Sequence, residues 1–201
     1  VGDTATLPSI RTASRLILMG WFASSITWFR MGDAYRAYAY TAESGASLAR
    51  TIGTVLAERV LDILQVFLLL LVGFLLLYAD PKLDPSVVFL LVGLALAMLS
   101  GLILLAMKIF GGQVSRFLPQ RIRIAYAGFH EGTMRSFGTL PVVLLLGFLG
   151  WLSEVGRLYF VVMATGLDVG FGLILFVTLV SALLTAIPLT PGGLGIAETG
   201  I

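Results

Sequence analysis

Residues 87–107 read VVFLLVGLALAMLSGLILLAM, without a single charge. A helix needs about 20 consecutive apolar residues to cross about 30 Å of hydrocarbon, and this stretch meets that length. Its neighbours extend the pattern. Residues 140–164 are long and apolar enough but contain Glu154 and Arg157. Residues 171–187 form a shorter run that ends at Pro188. Residues 63–78 are apolar and follow the helix-compatible stretch 47–62. Together those two predict one long helix whose first turns are polar, entering from the interface at a tilt. A fifth run, 16–29, is short and carries Ser24, Ser25 and Thr27; it fits a tilted span, a half-helix or a re-entrant segment.

Composition agrees. Of 201 residues, 58% are hydrophobic and only 12% charged, where soluble domains carry about 25% charged residues. Mean hydropathy is +1.01. So little charge cannot wet the surface of a soluble core, and the fold class that follows is all-α: a polytopic integral membrane helix bundle with broken or re-entrant helices. The net charge of +2 gives no footprint for nucleic acid. The absence of cysteine excludes disulfides, thiolate metal sites and cysteine nucleophiles. The sequence opens on Val1 and stops at Ile201 directly after a Gly/Pro-rich motif, with no signal-peptide pattern. We expect residues 1–201 to be one transmembrane domain excerpted from a longer polypeptide, with further helices at both ends.

Basic residues set the expected orientation. Segment 108–136 carries Lys108, Arg116, Arg121, Arg123 and Arg135 against Glu131 alone, which places it in the cytoplasm and the protein in the cytoplasmic membrane. Loop 79–86 and the turn before Phe171 then fall outside, and residues 30–59 and the Pro188 motif inside. Within 108–136, Val114, Leu118, Ile122, Ala125 and Phe129 recur at helical spacing, which predicts an amphipathic helix on the membrane surface, starting anew at Pro119. Topology-setting charge alone explains the same residues.

Four polar motifs interrupt the apolar chain. The first is Pro188-Leu189-Thr190-Pro191-Gly192-Gly193-Leu194-Gly195-Ile196-Ala197-Glu198. Two prolines and three glycines cannot continue a lipid-facing helix, and unwound backbone at membrane depth needs protein or a wet cavity around it. Broken helices of this kind line substrate sites in transporters. Glu198 in the next first turn is either a dipole-matched charge or a partner for a cationic headgroup or a proton. The second motif is Arg30-Met31-Gly32-Asp33-Ala34-Tyr35-Arg36, in which Gly32 and Asp33 suit a helix end and a new cap. Arg30 and Arg36 carry planar forks suited to phosphate; interfacial anchoring is the alternative.

In the third motif, Glu58-Arg59-Val60-Leu61-Asp62 leading to Gln65, Glu58, Asp62 and Gln65 share a helix face and Arg59 reaches Asp62 at i+3. Charges so close to the apolar run have to be paired or cavity-facing. The fourth is Glu154 with Arg157, again i, i+3, inside a span; it is either functional or a self-cancelling couple. His130 is the single histidine and has no ligand cluster, so no metal site is expected. Nucleotide-loop, dinucleotide and nucleophile-elbow patterns are absent as well. No cofactor is expected, and a transporter is favoured over an enzyme.

Arg30-x-Gly32-Asp33-x-x-Arg36, Glu58-Arg59-x-x-Asp62, Trp151-x-x-Glu154 and Pro188-x-Thr190-Pro191-Gly192-Gly193-x-Gly195-x-x-Glu198 occur in this order. In this the chain resembles the lysylphosphatidylglycerol synthetase transmembrane-region family, also called flippase-like domains. The resemblance runs from about Trp28 onward, and it departs where members commonly carry Asn and Pro ahead of the first motif, at the positions of Ser25 and Trp28. It implies a polytopic bacterial or archaeal membrane protein. One branch is the membrane part of enzymes that make and translocate aminoacylated phosphatidylglycerol, and others are linked to lipid-linked glycan pathways. The expectation is a lipid translocase in which Arg30, Gly32, Asp33, Arg36, Glu58, Arg59, Asp62, Glu154, Arg157, Pro188, Pro191, Gly192, Gly193, Gly195 and Glu198 form a headgroup cavity. Its partners would be membrane lipids, anionic or aminoacylated, and a lipid-synthesis enzyme. A lipid-modifying or lipid-linked glycosyl transferase using Asp33, Glu154 or Glu198 as base, and a non-catalytic accessory, are the alternatives.

Overall fold

The computed structural model describes residues 8–27, 31–79 and 87–186. They form seven α-helices and no strand: α1 (Ile10–Ile26), α2 (Gly32–Ser44), α3 (Leu48–Tyr78), α4 (Val87–Phe117), α5 (Gln120–Ser136), α6 (Leu140–Ala164) and α7 (Phe171–Ala186). Among the described residues, three stretches are long and apolar enough to cross a membrane: Leu48–Tyr78, Val87–Ser115 and Leu140–Ala164. The chain is therefore an all-α membrane protein. Among the described residues it divides into two compact units, residues 8–59 with 103–139, and residues 60–102 with 140–186.

Hydropathy marks α6 to the residue at both ends, and α3 is the single long helix its two halves predict. Elsewhere the helices overrun the apolar runs. α1 begins at Ile10, where Ser9 caps it by accepting from the Thr12 amide at 3.2 Å. Its first turns carry Arg11, Thr12 and Arg15, which a hydropathy window passes over. α4 continues past Met107 to Phe117, because nothing before Pro119 stops its hydrogen-bond ladder. The amphipathic helix expected across 108–136 is thus two pieces. Val114 belongs to α4, and the new helix starts after Pro119, as its fixed φ favours.

In the first unit, glycines bring helix backbones together. α1 and α2 form an antiparallel hairpin in which Gly32 lies on Gly20 and Ser24; a Cβ at Gly32 would collide with the Gly20 carbonyl and the Ser24 hydroxyl. Arg15 of α1 reaches Glu43 of α2 at 3.3 Å. α5 packs on the start of α3 through its second half, where Phe129 of the predicted apolar face lies against Gly53. Ile122 is exposed, whereas Gly128, Gly132 and Thr133 lie against Ser47, Arg50 and Gly53. A Cβ at Gly53 would strike the Phe129 carbonyl, and one at Gly132 the Arg50 carbonyl. Thr133 is fully buried and donates to the Gly53 carbonyl at 3.1 Å. On the other side of α5, the His130 Nε2 pairs with the Met107 carbonyl of α4 at 3.0 Å and the ring seats on Gly111. His130 is a cross-helix strut.

The second unit packs on side-chain bulk. α7 is its centre: Ile174, Leu175, Phe176, Leu179, Val180 and Leu183 are all buried, against Val66, Leu70 and Leu77 of α3 and Val155 of α6. A polar contact also crosses this unit. Gln65 of α3, 8% exposed, donates to the Leu144 carbonyl of α6 at 2.7 Å, and its amide lies where a Cβ on Gly147 would be.

Two stability effects follow, both readable from thermal unfolding in detergent. Gly53→Ala and Gly132→Ala press a methyl against backbone that cannot rotate away, and each costs about 1–3 kcal/mol. Gly112→Ala, in open space on α4, is neutral or stabilising by up to about 1 kcal/mol. Gln65→Leu removes one interhelical hydrogen bond and costs about 0.6–1.7 kcal/mol, the range for such bonds in membrane helices.

Candidate functional site

The close seat of Gly32 on α1 fixes where α2 begins. Asp33 falls in its first turn, where a carboxylate complements the helix dipole. Arg36, one turn on, shares its face. Both meet the adjacent pair Glu58 and Arg59 of α3. Arg36 donates from Nη1 to Glu58 Oε1 at 3.0 Å and from Nη2 to Oε2 at 2.6 Å. Arg59 places Nη2 at 2.9 Å from Asp33 Oδ1 and Nε at 2.9 Å from Oδ2. The Arg36–Glu58 pair is therefore a two-point fork, the strongest geometry an arginine makes with a carboxylate, whereas Arg59 holds Asp33 by one hydrogen bond from Nη2 and a close charge contact at Nε.

The two pairs are also linked. Arg36 lies 3.9 Å from Asp33 and Arg59 lies 3.7 Å from Glu58. Four charges close into a ring of alternating sign with no net charge, its side chains 17–40% exposed. Spacing alone suggests Arg59 with Asp62; the fold adds the longer-range partner, Asp33. Half-burial matters here. Opposite charges 4 Å apart near a protein surface attract by about 4 kcal/mol, and removing one member leaves the other desolvated without compensation.

Arg36 and Glu58 face a cavity of about 570 Å³ inside the first unit. One wall is apolar, from Ala13, Leu16 and Ile17 of α1. The other is polar, from Tyr40 of α2, Arg50, Thr51 and Thr54 of α3 and Arg135 of α5. The outer face of α1 (Leu18, Trp21, Phe22 and Ile26) is exposed. The cavity thus has a charged side and a greasy side, an arrangement that accommodates an amphiphile: polar group against the arginines, chain against α1.

The fold brings together four sequence-predicted residues, Asp33, Arg36, Glu58 and Arg59, and Gly32 acts beneath them as the contact that sets α2. Asp62 lies in the second unit. So do Glu154 and Arg157, which form a two-point couple along α6, with Arg157 Nε and Nη2 each 2.9 Å from a Glu154 oxygen. Arg30, Pro188, Pro191, Gly192, Gly193, Gly195 and Glu198 lie outside the described residues. The sequence reading does not anticipate Arg50, Thr51, Thr54 or Arg135 as cavity residues. The signal was present in part: Arg50, Thr51, Thr54 and Glu58 follow helical spacing along one side of α3.

Known membrane proteins resemble this chain along most of its length. A UPF0104 membrane protein of Methanocaldococcus jannaschii is 28% identical over 178 residues, which cover 88% of this chain and 76% of that protein. A UPF0104 membrane protein of Methanothermobacter thermautotrophicus is 33% identical over 191 residues, covering 83% of this chain and 56% of that protein. The chain thus spans about three quarters of the first relative and little more than half of the second. No solved structure matches. The family model described as lysylphosphatidylglycerol synthase TM region matches residues 6–201, and the chain belongs to that family.

Proposed function

We propose that this chain forms the headgroup-handling part of a lipid translocase in the cytoplasmic membrane, moving a polar or aminoacylated phospholipid, or a lipid-linked glycan, between leaflets. One observation carries the reading: the cavity of about 570 Å³ that sets a charged wall holding Arg36 and Glu58 opposite the apolar wall of α1. Acyl chains stay with lipid while the headgroup enters. Translocation needs no covalent step, only different headgroup affinity in two states of the cavity.

A closed ring of paired charges suits this task. A headgroup phosphate competes with Glu58 for Arg36, and a headgroup ammonium competes with Arg36 for Glu58. A zwitterionic or aminoacylated headgroup offers both charges at once. Segment 108–136 faces the cytoplasm in this reading. Its α5 packs on the start of α3, so both basic segments share one end of α3, as basic-inside topology requires. A lipid-synthesis enzyme that supplies the modified lipid is the expected partner.

The test is transbilayer movement of a labelled anionic or aminoacylated phospholipid in vesicles holding the purified full-length protein. Arg36→Gln and Glu58→Gln each slow movement about tenfold or more, the loss expected for a charge-assisted contact. The double variant Asp33→Asn with Arg59→Gln, which removes both members of the rear pair together, keeps the fold and slows movement less. Wild-type rates in both Arg36→Gln and Glu58→Gln would rule the reading out.

A further inference from the structure

The charged wall of the cavity is uneven in a way the neutral ring does not account for. Three arginines line it, Arg36, Arg50 and Arg135, against one acidic residue, Glu58. Arg36 is taken up by Glu58 in a two-point fork. Arg50 and Arg135 instead converge on a single oxygen outside the lining: Oε1 of Glu131 lies 3.1 Å from Arg50 Nη2 and 3.6 Å from Arg135 Nη1. One carboxylate oxygen holds the ends of two arginines from different helices. The longer separation exceeds an N–H···O hydrogen bond, and the Arg135 side chain is 74% exposed, so that arm is held by charge alone.

We propose that this wall is a phosphodiester site. Arg50 and Arg135 grip the phosphate of an amphiphile, and Glu131 is the positioning residue that gathers the two guanidiniums and yields them to it. The proposal rests on the headgroup-cavity reading above and names what that cavity recognises. A phosphate presents several acceptor oxygens to two planar forks, where Glu131 offers both the same oxygen. Exchange of partner therefore improves the geometry of Arg135 most. The apolar wall of Ala13, Leu16 and Ile17 selects a phosphate that carries a hydrocarbon chain. A soluble phosphate gains nothing from that wall.

The full-length protein in a maltoside detergent, which contains no phosphate, is titrated with three probes followed by native mass spectrometry: dioctanoyl phosphatidylglycerol, dioctanoylglycerol and inorganic phosphate. The phosphatidylglycerol binds, and the other two bind about tenfold or more weakly. Arg50→Gln and Arg135→Gln each weaken it about tenfold or more. Glu131→Gln, which removes the competitor and keeps the size, tightens it. These opposite signs separate the proposal from a merely structural role, since a damaged α3–α5 seam weakens binding in all three variants. Equal binding of dioctanoylglycerol, equal binding of inorganic phosphate, or weakening by Glu131→Gln would each overturn it. The translocase reading fails separately. If phosphatidylglycerol binds as described but wild-type vesicles show no lipid movement, the site stands and the translocase does not. If movement proceeds and binding ignores Arg50 and Arg135, the reverse holds.

Discussion

Charge carried into an apolar helical fold has to be cancelled where it stands, and in the first unit two ion pairs between α2 and α3, one of them forked, do this. A stranded ion costs several kcal/mol after relaxation, which is comparable to the total stability of a domain. The ring of Asp33, Arg36, Glu58 and Arg59 is therefore a constraint on everything around it. Asp33 and Arg36 stand one turn apart on α2, on one face. Glu58 and Arg59 are neighbours on α3 and diverge by about 100°. Crosswise pairing satisfies both geometries only if α2 starts at a fixed height, and the contact of Gly32 with Gly20 and Ser24 supplies that height. A larger residue at position 32 would displace the charges as well as the helix.

The two units hold their helices by different means, and the membrane explains why both are workable. Lipid tails are as apolar as leucine, so burying a leucine between spans gains little, whereas close backbone approach gains van der Waals contact and polar bonds. In the first unit, Gly53, Gly128 and Gly132 let α5 lie directly on α3, and Thr133 adds a hydrogen bond to the Gly53 carbonyl. In the second, α7 buries Leu179 and Val180 among large side chains, and Gly73 and Gly172 admit α7 to α3. Gln65 adds a polar contact there, satisfied by a helix carbonyl.

Hydropathy read the spans well because length and apolarity are what the bilayer constrains. α6 appears at 140–164 at both levels, and α3 is the one continuous helix expected from a polar start and an apolar end. Hydropathy failed at helix ends that carry charge. The first turns of α1 and the last turns of α4 satisfy their backbones as any helix does, yet look like loop. The site was half legible. Gly32, Asp33, Arg36, Glu58 and Arg59 stood out as charges or breaks near apolar runs. Their mutual pairing did not, because spacing reveals only neighbours at three and four residues. Arg50 and Arg135 stayed hidden for another reason: basic residues at the ends of spans already have a topological explanation, so nothing in the sequence asked for a second.

A ring of alternating charge has a property that an isolated ion pair lacks, and it bears on the translocase reading. When a ligand phosphate takes Arg36 from an isolated Glu58, the freed carboxylate is left desolvated, and the ligand must supply that cost from its own binding energy. Here Arg59 already lies 3.7 Å from Glu58, and Asp33 lies 3.9 Å from Arg36. Release of one bond is met by tightening of the next, so no member stands alone during the exchange. The barrier to entry falls, and so does the barrier to exit. A site that has to release its ligand on the other side needs low barriers in both directions more than it needs tight binding. Pairing that is strong in each bond yet shared around a ring meets both demands.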